Sequence, residues 1–161
     1  MFNLKAEIYL KIIFLFSFIA LISAFFIEYI LGHQPCNLCL IERIPYMLSI
    51  MIIMAIFLIK KNQRFLVILL ILTFIFSFAI SFYHYGIEES FFQESSFCGV
   101  KSLTESINKE DLLKQLSEKT ISCKDVTFKI FGLSLTSINI VISLLFIITL
   151  TKIFFKYEKD K

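Results

Sequence analysis

Four long stretches without a charged residue limit what this chain can fold into. They are Ile12–Ile27, Ile44–Ile59, Phe65–Ile87 and Ile130–Thr151. Their lengths are sixteen, sixteen, twenty-three and twenty-two residues. A membrane-spanning helix needs about 20 apolar residues, within a range of about 17–25. The two longer runs reach that length unaided, and the two shorter ones reach it if Lys11, Arg43 and Lys60 extend their charges to the lipid headgroups.

The composition excludes the other fold classes. Hydrophobic residues make up 58% of the 161 residues, and the mean hydropathy is +0.82. Disordered chains are poor in such residues, and soluble domains are roughly 45–50% apolar. Lipid admits helices and closed barrels, and the runs lack the period-two alternation of a barrel. We therefore predict one all-α integral membrane domain over residues 1–161, a bundle of four transmembrane helices at 9–31, 42–59, 65–86 and 131–152.

The distribution of charge orients these helices. The N-terminal segment, the turn at residues 60–64 and the tail from Lys152 hold nine Lys or Arg residues against three acids. The remaining loops hold seven basic and ten acidic residues. Positive loops stay in the cytoplasm, so both termini are predicted inside, with outward loops at 32–41 and 87–130. The isoelectric point of about 8.6 then follows from topology and does not indicate a nucleic-acid partner. The first helix is predicted to stay as an anchor, because its apolar run is longer than a signal-peptide core.

All four cysteines fall in the two outward loops. Cys36 and Cys39 lie in the first, and Cys98 and Cys123 lie in the second. Free cysteine is usually buried, and disulfides persist in oxidising compartments, so this placement indicates cysteine chemistry outside the cytoplasm. The second loop also contains a capping box at Ser102–Glu105, which predicts a short helix lying at the membrane interface or folded over the loop.

Cys36 and Cys39 form a Cys-x-x-Cys pair, which suits redox chemistry, half a zinc site or a structural bridge. Arg43 lies four residues after Cys39, where its charge would favour a thiolate and an anionic electron acceptor. Zinc usually takes two closely spaced pairs, and here one pair is close, so no metal site is predicted. A bridge between Cys98 and Cys123 could be structural, whereas a Cys-x-x-Cys bridge closes almost no loop. Redox chemistry is favoured, and zinc binding or purely structural disulfides remain the alternative.

The first outward loop of this four-helix membrane protein resembles that of the bacterial DsbB family. The resemblance lies in the string Pro35-Cys36-x-Leu38-Cys39 followed by Glu42-Arg43. Tyr83-His84-x-Gly86-x-Glu88 at the outer end of the third helix also looks like that family. The resemblance covers most of the chain and is loose in the second loop outside its cysteines. Asn37 between the first two cysteines and the lysine-rich second loop depart from the best-known members.

The resemblance implies a thiol:quinone oxidoreductase of the bacterial inner membrane. Such a protein reoxidises a periplasmic, DsbA-like thioredoxin-fold partner and passes the electrons to ubiquinone or menaquinone. Cys98 would form a mixed disulfide with the partner, and Cys123 would then attack Cys36. Cys39 would be left as the thiolate facing quinone, with Arg43 stabilising its charge.

Four further polar residues lie at or within the predicted helices. His84 is expected to hydrogen-bond a quinone carbonyl or to be satisfied by water or backbone. Glu28 is expected to be a solvated anchor, and Glu42 to pair with Arg43. Asn139, midway along the fourth helix, is expected to make an interhelical hydrogen bond.

Overall fold

The computed structural model describes residues 4–59, 62–93, 98, 123–124, 129–130 and 132–159. Four long helices account for most of these residues. They are α1 (Leu4–Tyr29), α2 (Asn37–Leu58), α3 (Gln63–Glu88) and α4 (Leu135–Lys159). A short antiparallel hairpin of β1 (Lys129–Ile130) and β2 (Leu133–Ser134) precedes α4, with Lys129 opposite Ser134.

All four helices are long and apolar enough to cross a membrane, so the predicted all-α, four-span architecture is confirmed. A helix of 26 residues, such as α1 or α3, is about 39 Å long and exceeds the hydrocarbon thickness of about 30 Å. Helix α4 packs along α3, α3 along α2 and α2 along α1, whereas α1 and α4 meet only briefly.

The interior combines an apolar cluster with small polar pairs. Leu10, Ile53, Leu70 and Phe74 are among the fully buried residues of the cluster. Between the helices, Ser49 donates to Ser17 at 3.0 Å, and Ser143 donates to Ser77 at 3.1 Å. Small hydroxyl side chains allow close helix approach and satisfy one another where lipid offers no hydrogen bonds. Most exposed large apolar side chains belong to the helices, as a lipid-facing surface requires.

Helix α2 begins at Asn37, five residues before its predicted start at residue 42. The Cys36 thiol caps the helix by accepting the backbone N–H of Cys39 at 3.3 Å. The prediction placed the start later because it followed the charge-free run that begins at Ile44. Pro45 lies inside the helix and is buried, as membrane helices tolerate. The Cys-x-x-Cys pair therefore sits on the first turn of a helix, and Cys39 and Arg43 lie one turn apart.

The predicted start of the fourth helix at residue 131 also shifts, to Leu135. The strands Lys129–Ile130 and Leu133–Ser134 precede the helix instead, and Gly132 adopts a φ of 83° that suits a tight turn and not a helix. Ser134 then caps α4, because its hydroxyl accepts the backbone N–H of Ser137 at 3.2 Å. The apolar run identified the membrane span, but its first residues serve the turn.

The C-terminal end of α3 folds back on itself at the start of the second loop. The backbone N–H groups of Phe91 and Phe92 both donate to the Gly86 carbonyl, at 2.8 and 3.0 Å. The Phe92 ring stacks on Tyr83 with the ring centres 5.7 Å apart, and it occupies the space a Gly86 side chain would need. Most of the loop predicted at 87–130, including the helix expected from the capping box at Ser102–Glu105, lies outside the described residues.

Candidate active site

The first cysteine pair lies at the N-terminus of α2, where one thiol hydrogen-bonds the other. The two sulfur atoms are 2.8 Å apart, and both cysteines are present as free thiols. Cys36 is buried and Cys39 is partly exposed. The pair is thus held within bonding reach, with Cys36 inside the protein and Cys39 beside an opening.

The surroundings of Cys36 favour its thiolate. A hydrogen bond from the Cys39 thiol, together with the nearby His84 ring, lowers the pKa of Cys36 to about 4 against the opposing effect of burial. The position of Cys36 at a helix N-terminus acts in the same direction. The thiolate that the sequence predicted at Cys39, next to Arg43, stays a prediction.

His84 on α3 connects the thiols to a buried polar network. Its Nε2 atom lies 3.6 Å from Cys36 Sγ, and its Nδ1 atom lies 3.0 Å from Glu42 Oε1. Thr136 on α4 approaches the same Nδ1 atom at 3.4 Å and donates to Glu88 at 2.6 Å. His84 is 2% exposed, so protein groups satisfy both ring nitrogens. Glu42 fixes the orientation of the ring, and Nε2 is left to face sulfur.

Asn139 extends this network across three helices, which confirms the predicted interhelical hydrogen bond. Its amide nitrogen donates to Ser81 at 2.6 Å and to Glu42 at 3.3 Å. Its amide oxygen accepts the Tyr46 hydroxyl. In the described part of the chain, no buried side-chain nitrogen or oxygen lacks a hydrogen-bond partner.

Arg43 is paired differently from what was expected. Its guanidinium binds Glu28 on α1, and Glu42 bonds His84 and Asn139 instead. Glu28 is therefore an ion-pair partner with a side chain 21% exposed, and the prediction of a solvated anchor is wrong. The guanidinium carbon also lies 5.3 Å from the centre of the Phe25 ring. These contacts tie the start of α2 to the end of α1.

A cleft of about 350 Å³ opens between α1 and α4, beside the cysteines. Most of its wall is apolar. Its polar lining includes Cys39, Glu42, Arg43, Tyr46 and Asn139. Phe16 and Ile19 line the other side and are 36% and 51% exposed, so the cleft reaches the lipid-facing surface. Of the two predicted cofactor ligands, Arg43 lines this cleft, whereas His84 is not among the lining residues and lies behind Cys36 and Glu42.

The second cysteine pair is joined. Cys98 and Cys123 form a disulfide with their Cα atoms 5.4 Å apart. Both are buried in one cluster with Cys36, Leu38 and Ile87. A zinc site made from all four cysteine thiolates, which was one alternative, is therefore not formed in this state. The arrangement brings a dithiol and a disulfide into the same cluster.

Comparison with known proteins agrees with this geometry. A sequence model of the family described as "Disulfide bond formation protein DsbB" matches residues 6–153. The chain belongs to the DsbB family. It is also 31% identical over 147 residues to an uncharacterized protein of Rickettsia prowazekii (strain Madrid E), covering 90% of this chain and 86% of the relative. Membership of the DsbB family makes the protein a disulfide-bond-forming oxidoreductase of the membrane, as the resemblance predicted.

Sequence reasoning named Glu28 and Glu42 but did not place them in the site. Glu28 and Glu42 both carry a charge close to a predicted span, which is also what a headgroup anchor does. The spacing from Glu28 to Arg43 crosses a loop whose path the sequence does not give. The sequence did offer a signal for a third carboxylate, Glu88. Its i, i+4 spacing from His84 places both side chains on one face of α3.

Proposed function

We propose that this DsbB family protein is a thiol:quinone oxidoreductase that reoxidises a DsbA-like thioredoxin-fold protein and delivers the electrons to membrane quinone. The observation that carries the proposal is the position of Cys39. It belongs to the redox pair and also lines a mostly apolar cleft that opens to the lipid. A lipid-soluble oxidant could therefore reach a thiol of the pair without passing through water.

The cleft fits a quinone headgroup. Its volume falls within the range of about 300–1,000 Å³ that small-molecule sites occupy, and such sites combine apolar walls with a few directed polar groups. Arg43 supplies hydrogen-bond donors from α2. The Tyr46 hydroxyl and the Asn139 amide, whose own donors are used within the buried network, give the cleft a polar edge. A quinone bound there would accept two electrons and two protons. Arg43 would hold the oxygen that becomes anionic, and the Cys39 sulfur would face the ring.

His84 and Glu42 have a different part in this proposal from the one the sequence suggested. His84 faces Cys36, so it would take the thiol proton at Nε2 while Glu42 accepts the hydrogen bond from Nδ1. Such a dyad keeps the Cys36 sulfur ionised when the pair is reduced. His84 would thus act on the thiol pair, with Arg43 acting on the quinone.

Electrons would reach the first pair by thiol–disulfide exchange. A thiol of the partner would attack Cys98, releasing Cys123 as a thiolate. Cys123 would attack Cys36 of an oxidised Cys36–Cys39 pair and leave Cys39 reduced. The partner's second thiol would then release Cys98, and Cys98 would attack Cys123 and release Cys36, so the first pair ends reduced. Each exchange conserves one disulfide, so two electrons move per cycle. The burial of Cys36, Cys98 and Cys123 in one cluster, with Cys39 packed against it, supports this order.

The proposed location is the bacterial inner membrane, with both cysteine pairs on the periplasmic side. The excess of basic residues at the opposite end of the bundle supports this orientation. An oxidising compartment is also where a disulfide such as Cys98–Cys123 persists.

The deciding experiment is a thiol count on the fully reduced protein in detergent, before and after adding a soluble quinone. We expect two to four thiols to disappear within seconds, with a matching loss of quinone absorbance. A variant with both Cys98→Ser and Cys123→Ser should still lose two thiols, because the first pair alone faces the cleft. Persistence of all thiols in the unaltered protein would overturn the proposal.

Cys39→Ser should abolish quinone reduction, and Ser143→Ala is the matched control for a buried change away from the cleft. For the partner, the free Cys98 thiol of Cys123→Ser should attack the disulfide of an oxidised DsbA-like protein and accumulate a mixed disulfide with it. A mixed disulfide formed through Cys36 instead would contradict the proposed order.

A further inference from the structure

The thiol pair and His84 form a group of metal-ligating atoms that the sequence did not predict. Cys36 Sγ, Cys39 Sγ and a His84 ring nitrogen all lie within 4.8 Å of one another. Within the part of the chain that the structure describes, this is the one group of three or more side chains placed to hold an ion. The histidine comes from α3, 45 residues beyond Cys39, so spacing alone could not reveal it.

The separations are close to those of a bound zinc ion. Zinc binds sulfur at about 2.3 Å and imidazole nitrogen at about 2.0–2.1 Å, which places tetrahedral ligand atoms about 3.5–3.8 Å apart. Cys36 Sγ and His84 Nε2 are already 3.6 Å apart. The two sulfurs, at 2.8 Å, would need to separate by about 1 Å, which rotation of the Cys39 side chain toward the cleft supplies.

The support around the histidine also has the form of a metal site. Histidine ligands bind through one ring nitrogen and give the other to a carboxylate, which fixes the ring. Here Nε2 faces the sulfurs, and Nδ1 lies 3.0 Å from Glu42 Oε1. Cys39 borders the cleft, so a water molecule has room to complete four ligands.

We propose that the reduced protein binds one Zn²⁺ ion through Cys36, Cys39 and His84, and that the bound ion blocks oxidation of the thiol pair. Binding replaces the thiol protons by the metal and releases them to solvent, with no change of oxidation state. The two sulfurs then cannot form a disulfide until the ion leaves. Oxidation to a Cys36–Cys39 disulfide removes both sulfur ligands, so zinc and electron transfer exclude each other at this site.

The test uses the full-length chain in detergent with Cys98→Ser and Cys123→Ser, which leaves a single thiol pair. Zinc binding is measured by competition with a coloured chelator. We expect one ion per reduced chain, and none after the pair has been oxidised. Co²⁺ in place of zinc should give a thiolate-to-cobalt charge-transfer band, a readout that does not depend on quinone or turnover.

His84→Gln should weaken zinc affinity by more than about 100-fold, because the loss of a ligand exceeds the 10–100-fold effect of losing its carboxylate support. Glu42→Gln should show that smaller effect. His33→Gln, at the other histidine of the chain, is the matched control and should leave affinity unchanged. Should His84→Gln fail to fold, Cys36→Ser provides the same test, since it must abolish both binding and the cobalt band.

Equal zinc binding before and after oxidation of the pair would overturn the inference. So would a loss in His33→Gln as large as in His84→Gln. These results are independent of the proposed function, because quinone reduction by the metal-free protein is measured separately.

Discussion

Arg43 on α2 is ion-paired with Glu28 on α1, although a change of direction in the chain separates them. Both side chains are largely buried, at 14% and 21% exposure, and Arg43 also lines the cleft. The pair therefore fastens the two helices together and fixes the direction of the guanidinium. The Arg43 guanidinium therefore borders the cleft while it is already bound to Glu28.

Removing either partner should weaken the fold. We expect Glu28→Gln to lower the free energy of unfolding by about 1–2 kcal/mol, between the values for exposed and fully buried pairs. The matched control is Glu7→Gln, at the exposed Lys11–Glu7 pair of the same helix, where a change below about 0.5 kcal/mol is expected. Unfolding in detergent measures the free-energy change for both variants. Equal changes would show that the Arg43–Glu28 pair stabilises the fold no more than an exposed pair does.

Arg43→Gln should additionally impair the use of quinone. We expect an apparent quinone KM about tenfold higher, equivalent to about 1.4 kcal/mol, because a fixed cationic donor is lost from the cleft. Glu28→Gln keeps the cation and should raise KM less. A KM unchanged in Arg43→Gln, measured with soluble quinone in steady state, would remove Arg43 from the quinone site.

The thiolate of Cys36 should give a distinctive pH dependence. A pKa lowered to about 4 means that the thiolate persists above that pH and is lost as the pH falls through it. Alkylation of the reduced pair should therefore be nearly constant from about pH 6 to about pH 8, whereas an ordinary thiol with a pKa near 8.5 gains about tenfold per pH unit there.

His84→Gln is the informative variant for that experiment. It removes one of the groups that lower the Cys36 pKa, so alkylation near pH 6 should slow and the profile should move to higher pH. Stopped-flow alkylation of the Cys98→Ser, Cys123→Ser background isolates the first pair. An unperturbed thiol profile in the parent protein would contradict the thiolate assignment.

Asn139 should contribute more to stability than other buried polar residues of the bundle. Asn139→Leu leaves the Tyr46 hydroxyl and Ser81 without their shared partner and takes one donor from Glu42. We expect a loss of about 1–3 kcal/mol, the cost of stranding buried polar groups. Ser143→Ala breaks one neutral pair with Ser77 and should cost about 0.6 kcal/mol. Similar losses in the two variants would argue against a cooperative network.

Gly86 should be required for anchoring the second loop. A Cβ atom at this position would lie 2.1 Å from the Phe92 ring, so Gly86→Ala must displace that ring from Tyr83. We expect slower transfer of electrons from the second cysteine pair to the first. In a Phe92→Ala background the clash is absent, and adding Gly86→Ala should then have little further effect. Equal impairment by Gly86→Ala in both backgrounds would exclude Phe92 as the cause.

The sequence predicted the parts of the molecule that depend on local properties. Apolar runs identified four spans, because lipid requires about twenty apolar residues whatever the packing. The placement of Asn139 in the middle of a span predicted its hydrogen bond. The predicted start of α2 differs from the structure because the cap that starts the helix is the Cys36 thiol and not one of the usual capping residues.

Long-range pairing was beyond sequence reasoning. The Arg43–Glu28 pair and the His84–Glu42 dyad depend on how three helices turn their faces toward one another. Charged residues near the end of a span cannot be told apart in sequence, whether they contact lipid headgroups or another helix. Packing decides between them, and it also places His84 behind the thiols.

Under the proposed function, the brief contact between α1 and α4 would determine how the two reactants are supplied. A hydrophobic acceptor that enters between these helices would arrive from within the bilayer, where it is concentrated by partitioning and moves in two dimensions. A protein client would arrive from the water above the helix ends. The two reactants would then use separate entrances, and arrival of one would not require departure of the other.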